Sequence, residues 1–238
     1  YMDKKSSYFN TVSGDTWHCI FIPEDMAGKN IEVSVYTDYA TYLEYEPTFY
    51  LGDRMTIVKN EFFAGILNLS IVFIMLAVGL IVVIYSILTT KNRTNSYDLI
   101  YLGIFSVMMS IWLFVNMPLV NMIFDCGTVL TYMSYIILGS ISVPLILFEK
   151  RLMDVKYGKI CEFLCKIVIA TQIIVYTLQL LDFKDMKETL ILTHLAIGVS
   201  ICVLVGMLIV NFITVGWKKL NGMSKLNMVC GLMTALGV

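Results

Sequence analysis

The feature that most constrains this chain is a series of long apolar runs separated by short charged links. The runs cover residues 62–88, 99–117, 129–148, 160–181, 190–215 and 226–238. The hydrocarbon core of a bilayer is about 30 Å thick, and about 20 helical residues cross it. The first five runs are long enough to cross, whereas the last reaches only about 20 Å. The pattern therefore predicts a membrane α-helical bundle over residues 61–238, with six of seven transmembrane helices visible.

Composition agrees with a membrane protein and excludes an ordinary soluble domain. Charged residues make up 15% of the chain, compared with about 25% in soluble domains. The mean hydropathy is +0.78. The net charge of −1 provides no basic field of the kind that attracts nucleic acid. We therefore expect the lipid bilayer, and no nucleic acid, among the partners of this chain.

The basic residues of the links predict the orientation of the bundle. Nine Lys and Arg residues follow the first, third and fifth runs, whereas two follow the second and fourth. Short cytoplasmic loops are enriched in Lys and Arg. We therefore expect the odd-numbered links to be cytoplasmic and the N-terminal segment to lie outside the cell.

The N-terminal residues 1–60 have the mixed composition of a water-exposed segment. Residues 17–22, 31–37 and 49–58 are rich in aromatic and β-branched residues, and turn-forming residues separate them. This pattern predicts three strands, which we interpret as the C-terminal part of an extracytoplasmic β-sandwich sensor domain. Its tyrosines and Trp17 are compatible with a small-molecule or carbohydrate site, and equally with strand packing. Cys19 and Cys126 are both external in the predicted topology, so the sequence also allows a disulfide between them.

Both ends of the chain look cut. The chain starts at Tyr1, and no basic segment followed by a short apolar stretch marks a signal peptide. It stops within the sixth run, only 13 residues after Lys225. We expect a fragment that continues into a complete sixth helix, and a signal-transducing protein with its N-terminus outside would need a seventh helix to reach the cytoplasm.

A few residues within the runs are candidates for sensing or coupling. His194 is an ionisable group inside the fifth run, where such groups are candidates for function by default; an interfacial hydrogen-bonded histidine is the alternative. Pro144, with Gly139, predicts a kink in the third helix that serves either as a hinge or for packing. Glu162 and Lys166 are four residues apart, so they share a helix face and can form a structural ion pair.

The sequence shows no catalytic constellation and no cofactor or metal motif. We find no nucleophile with a neighbouring base, no phosphate-binding loop, and no Cys and His spacing typical of zinc. Charged residues near mid-membrane, which an ion pump requires, are also absent from the runs. We therefore predict that this fragment is not an enzyme and binds no cofactor.

Several stretches resemble one bacterial family. The segments IPEDMAGKNIEVSVYT and PTFYLGDRMTIV before the first run are similar to the sandwich-to-membrane junction of bacterial seven-transmembrane receptors with diverse intracellular signalling modules (7TMR-DISM). SVPLILFEKR and DFKDMKETLILTHLAIG resemble members that carry a GGDEF domain. The resemblance implies an inner-membrane receptor for an extracellular ligand. It also implies a diguanylate cyclase output that makes cyclic di-GMP and dimerises. The alternatives are coupling to a histidine kinase, or a small-solute transporter.

Overall fold

The computed structural model describes residues 20–23, 26, 28–34, 49–89, 97–124, 126–152 and 157–215. These residues form α1 (Arg54–Thr89), α2 (Tyr97–Val115), α3 (Pro118–Ile123), α4 (Gly127–Leu152), α5 (Gly158–Leu180) and α6 (Leu190–Val215). In hydrocarbon, helices are favoured because they satisfy their backbone hydrogen bonds internally. The described part of the chain is therefore a membrane helical bundle.

Four of the helices are long and apolar enough to cross a membrane: Arg54–Thr89, Gly127–Arg151, Gly158–Leu180 and Leu190–Asn211. They confirm the first, third, fourth and fifth predicted runs as helices of spanning length. The second run is a shorter apolar helix, Leu99–Val115. The apolar sequence continues beyond it, but Pro118 begins the separate short helix α3. Residues 226–238, the sixth predicted run, lie outside the described residues.

The strand predicted over residues 49–58 is wrong, because residues 49–53 form no strand and α1 begins at Arg54. Asp53 accepts a hydrogen bond from the backbone N–H of Thr56 at its Oδ2, with a distance of 3.1 Å. A carboxylate in this position caps a helix N-terminus and outweighs the β-propensity of the flanking residues. Residues 20–22 and 31–34 show no strand in the structure. The rest of the first two predicted strands lies outside the described residues, and the β-sandwich stays a prediction.

Close packing of α1 and α2 depends on two glycines, Gly79 of α1 and Gly103 of α2. A Cβ placed on Gly79 would lie 3.0 Å from the backbone N of Val107 and 3.1 Å from the carbonyl O of Gly103. Such distances are shorter than ordinary carbon contacts, so the two backbones can approach only without a side chain here. Ser106 Oγ donates a hydrogen bond across the same interface to the carbonyl O of Met75, at 3.0 Å.

The helix α4 is central to the bundle. It packs against α2 on one side and against α5 and α6 on the other, while α1 packs mainly on α2. In the most apolar stretch of α4, 44% of the residues are buried, compared with 17% in α1. A core between α4, α5 and α6 includes Ile146, Val168 and Leu204. The outer faces of α1, α5 and α6 are apolar and exposed, as expected for surfaces in contact with lipid.

Candidate functional site

Three helices meet at a set of small and polar residues that we call the polar node: Gly139 of α4, Gln172 of α5 and Thr193 of α6. Gln172 and Thr193 are 6% and 4% exposed. The Gln172 amide lies directly against Gly139, in the space that a Cβ on this residue would occupy. Its Nε2 donates to Thr193 Oγ1 at 3.5 Å. A buried amide in an apolar bundle requires such partners, so the node sets the spacing of α4, α5 and α6.

A second polar set lies where α5 ends, and we call it the end cluster: Tyr132, Tyr135, Tyr176, Gln179 and Met186. Gln179 Oε1 accepts a hydrogen bond from the backbone N–H of Met186 at 2.8 Å, and its Nε2 donates to Tyr132 OH at 3.5 Å. Tyr132, Met186 and Val175 form a buried apolar contact around this glutamine. Gln179 therefore connects α4, α5 and the link to α6.

The chain reverses after α5 through a compact turn. Asp182 has a φ of 54°, a left-handed conformation that aspartate tolerates better than most residues. The backbone N–H of Asp182 donates to Gln179 O at 3.2 Å, and that of Phe183 donates to Leu178 O at 3.1 Å. This pair of bonds is the Schellman arrangement, which satisfies carbonyls at the end of a helix. The turn places Met186 against Gln179.

A third interhelical contact joins the end of α2 to α4. Asn116 Nδ2 donates to Ser134 Oγ at 2.8 Å and to the Trp112 carbonyl O at 2.7 Å. Asn116, Gln172 and Gln179 are polar residues in or at the ends of the apolar runs, as expected for interhelical hydrogen bonds, but the sequence does not identify their partners. One signal for the inner face of α5 was available: Cys165, Gln172 and Gln179 recur every seven residues, and all are buried.

The structure places His194 on the outer surface of α6, next to the buried Thr193. Its side chain is exposed, so it does not belong to the polar node. Pro144 lies buried within α4, which continues through it as one helix. The sensing role of His194 and the hinge at Pro144 stay predictions.

Glu162 forms its ion pair with Lys150 of α4, and not with Lys166 as the four-residue spacing suggested. Lys150 Nζ lies 2.6 Å from Glu162 Oε1. Lys166 acts on the Glu162 carboxylate only at longer range. The end of α4 and the start of α5 lie side by side. Lys150 of the neighbouring helix is therefore closer to Glu162 than Lys166, which lies on the same face of α5.

The junction before α1 carries a further polar contact. The hydroxyl of Tyr50 donates a hydrogen bond to the Glu61 carboxylate, and this bond together with the negative charge of Glu61 raises the pKa of Tyr50. Tyr50 precedes the helix, whereas Glu61 lies two turns inside it. The contact therefore holds the segment before α1 against the side of the helix.

In the described part of the chain, no group of three or more His, Cys, Asp and Glu residues could hold a metal ion. Cys161 and Cys165 are buried thiols on the inner face of α5. Cys19 lies outside the described residues, so its pairing with Cys126 is untested. The polar sets described above consist of amides and hydroxyls, groups that can bind by hydrogen bonds and connect helices. Comparisons with protein-family models, curated proteins and solved structures find no match to this chain.

Proposed function

We propose that this chain is the membrane part of a signal-transducing receptor, in which α1 carries a change from the external segment into the bundle. The length of α1 supports this proposal most directly. Its 36 residues form a helix of about 54 Å, whereas the hydrocarbon core is about 30 Å thick. A continuous helix that extends beyond the bilayer moves as a unit, so a rotation or shift at Arg54 reaches the membrane.

The contacts of α1 provide the next steps of the route. The glycine interface joins α1 to α2, the Asn116–Ser134 bond joins α2 to α4, and the polar node joins α4 to α5 and α6. Packed helices favour discrete arrangements over continuous deformation. An external ligand with different affinities for two such arrangements would shift their populations and thereby the output.

The 7TMR-DISM resemblance supplies the rest of the proposal. It suggests an extracellular small molecule, which the aromatic residues of the N-terminal segment would suit if it is a carbohydrate. It also suggests a GGDEF diguanylate cyclase output and a homodimer formed through that output. The resemblance also suggests an inner-membrane protein, and the charge distribution of the links favours an orientation with the N-terminal segment outside.

Helix-phase insertions test the receptor proposal. Alanines are inserted between Glu61 and Phe62, which leaves the Tyr50–Glu61 contact intact. Two alanines rotate the preceding part of α1 by about 200°, whereas seven return it to within about 20° of its original phase. Cyclic di-GMP is measured in cells that express the complete reading frame containing this chain. We expect the two-residue insertion to change cyclic di-GMP and the seven-residue insertion to restore it.

Two results would contradict this proposal. Equal output from both insertions and the parent chain would show that the phase of α1 carries no signal. Flux of a small solute into vesicles that contain the purified chain, unaffected by either insertion, would support the transporter alternative.

A further inference from the structure

The outer surface of α5 carries lysines at its first turns, at the end of the bundle where α4 ends. Lys159, Phe163 and Lys166 follow one another at four and three residues, so they lie along one face of the helix. All three side chains are exposed. Ile160 and Ile167 flank them and are 41% and 36% exposed. We call these five residues the lysine face.

The lysine face has positive charge that the described protein does not neutralise. The nearby carboxylate of Glu162 is paired with Lys150. Lys159 and Lys166 are close enough to act on Glu162 electrostatically. No acidic side chain in the described residues lies within ion-pair distance of either lysine.

The surrounding charges leave the region positive. In the described residues, the end of α4 and the start of α5 together carry four basic residues and two acidic residues, Glu149 and Glu162. The intervening link contains one further residue of each sign, Asp154 and Lys156, which lie outside the described residues. The region as a whole therefore has an excess of two positive charges.

The geometry of α5 directs the ammonium groups of Lys159 and Lys166 to the same depth in the membrane. Lys166 follows Lys159 by seven residues, or about 10 Å along the axis. Side chains of a helix tilt toward its N-terminus, and lysine stems lie along apolar surface while the ammonium group moves to the polar interface. Lys166 therefore reaches toward the headgroup layer, where Lys159 already lies, and passes over Phe163.

We propose that the lysine face binds an anionic phospholipid, with Lys159 and Lys166 contacting the phosphate and Phe163 and Ile167 contacting an acyl chain. Charge complementarity and an adjoining apolar surface together select this occupant. A soluble anion would use the lysines alone, whereas a zwitterionic lipid has no net negative charge to neutralise the two lysines. The inference does not depend on the proposed receptor function.

The test compares lipid retention by two doubly substituted chains. Lys159→Gln/Lys166→Gln removes the proposed site. Lys59→Gln/Lys184→Gln removes the same charge from exposed lysines outside the α4–α5 end. Each chain is incorporated into nanodiscs of phosphatidylcholine and phosphatidylglycerol in equal parts, extracted with mild detergent, and the bound lipids are quantified by mass spectrometry.

We expect the parent chain and the control to retain phosphatidylglycerol preferentially. Each lysine near an anionic lipid surface strengthens binding to that lipid about five-fold. Removing both lysines should therefore reduce the preference for phosphatidylglycerol over phosphatidylcholine about 25-fold. Lys159→Arg/Lys166→Arg keeps the charge and should keep the preference, which separates loss of the site from loss of the fold.

Three outcomes would overturn the inference. One is equal retention of both lipids by the parent chain, and another is loss of the preference to the same extent in the two glutamine variants. Complete displacement of the lipid by glycerol phosphate, which has the charge but no acyl chain, would assign the surface to a soluble anion instead.

Discussion

Replacing Gly139 with alanine tests whether the polar node sets the spacing of α4, α5 and α6. The new methyl group would occupy space that the Gln172 amide now fills. Because this amide is the end of a flexible side chain, it can rotate away, but it then leaves Thr193. Rotation removes an interhelical hydrogen bond and places a polar group among apolar side chains.

Three contributions set the expected loss of stability. A methyl group forced into a packed core destabilises by about 1 to 3 kcal/mol, and an interhelical hydrogen bond in a membrane contributes about 0.6 kcal/mol on average. The better helix propensity of alanine offsets up to about 1 kcal/mol. The net loss should therefore be about 0.6 to 2.6 kcal/mol.

The assay is equilibrium unfolding of the purified chain in mixed detergent micelles, followed by circular dichroism. Gly198→Ala is the matched control, because a Cβ on Gly198 meets no atom within 4 Å, and its effect should be below about 0.5 kcal/mol. The double variant Gly139→Ala/Gln172→Ala keeps the added methyl group but removes the amide with which it collides. It should be more stable than the sum of its single variants predicts.

Two results would contradict this role of the polar node. Gly139→Ala could be as mild as Gly198→Ala, which would mean that Gln172 does not require this space. The double variant could also be additive within about 0.5 kcal/mol, which would show that the two residues are independent.

Two further predictions concern the start of α1. Asp53→Ala removes the cap that holds Thr56 and should lower the free energy of unfolding by about 1 kcal/mol, measured by the same assay, whereas Asp53→Ser should keep most of it; equal losses would contradict the capping role. Glu61→Gln should return the pKa of Tyr50 toward its ordinary value of 10.0, which a tyrosinate absorbance titration referenced to a Tyr50→Phe chain would detect. Since the folded-state pKa of Tyr50 is raised, its stabilising contribution is complete below the ordinary value and is lost as pH rises through the folded value. An unchanged Tyr50 titration in Glu61→Gln would show that Glu61 is not the cause.

The helices were predictable because hydropathy acts over long stretches of sequence. A continuous apolar run such as 62–88 can satisfy its backbone hydrogen bonds within itself only as a helix, so it is predicted to be helical in hydrocarbon whatever its neighbours are. The error at residues 49–58 arose at a boundary, where β-propensity and a helix cap compete. Asp53 decided the outcome, because its carboxylate accepts a hydrogen bond from the backbone N–H of Thr56 and caps the helix.

The site depended on contacts between helices that are distant in sequence. Spacing within α5 made Lys166 a suitable partner for Glu162, but the neighbouring helix supplied Lys150 at 2.6 Å. His194 and Thr193 are adjacent in the chain, yet one is exposed and the other buried. Which side of a helix faces its neighbours follows from how the helices assemble, and apolar residues on every side conceal it.

The sequence by itself determined that this chain forms membrane helices, and it predicted which side of the bundle carries the basic links. It did so because hydrophobic length and charge are properties of single segments. Only the tertiary structure decided that Gly79 and Gly139 lie at close contacts while Gly198 lies in open space. In the sequence, all three are small residues within apolar runs and cannot be distinguished. Their roles differ because their distances to a neighbouring helix differ, and those distances are set only when the bundle assembles.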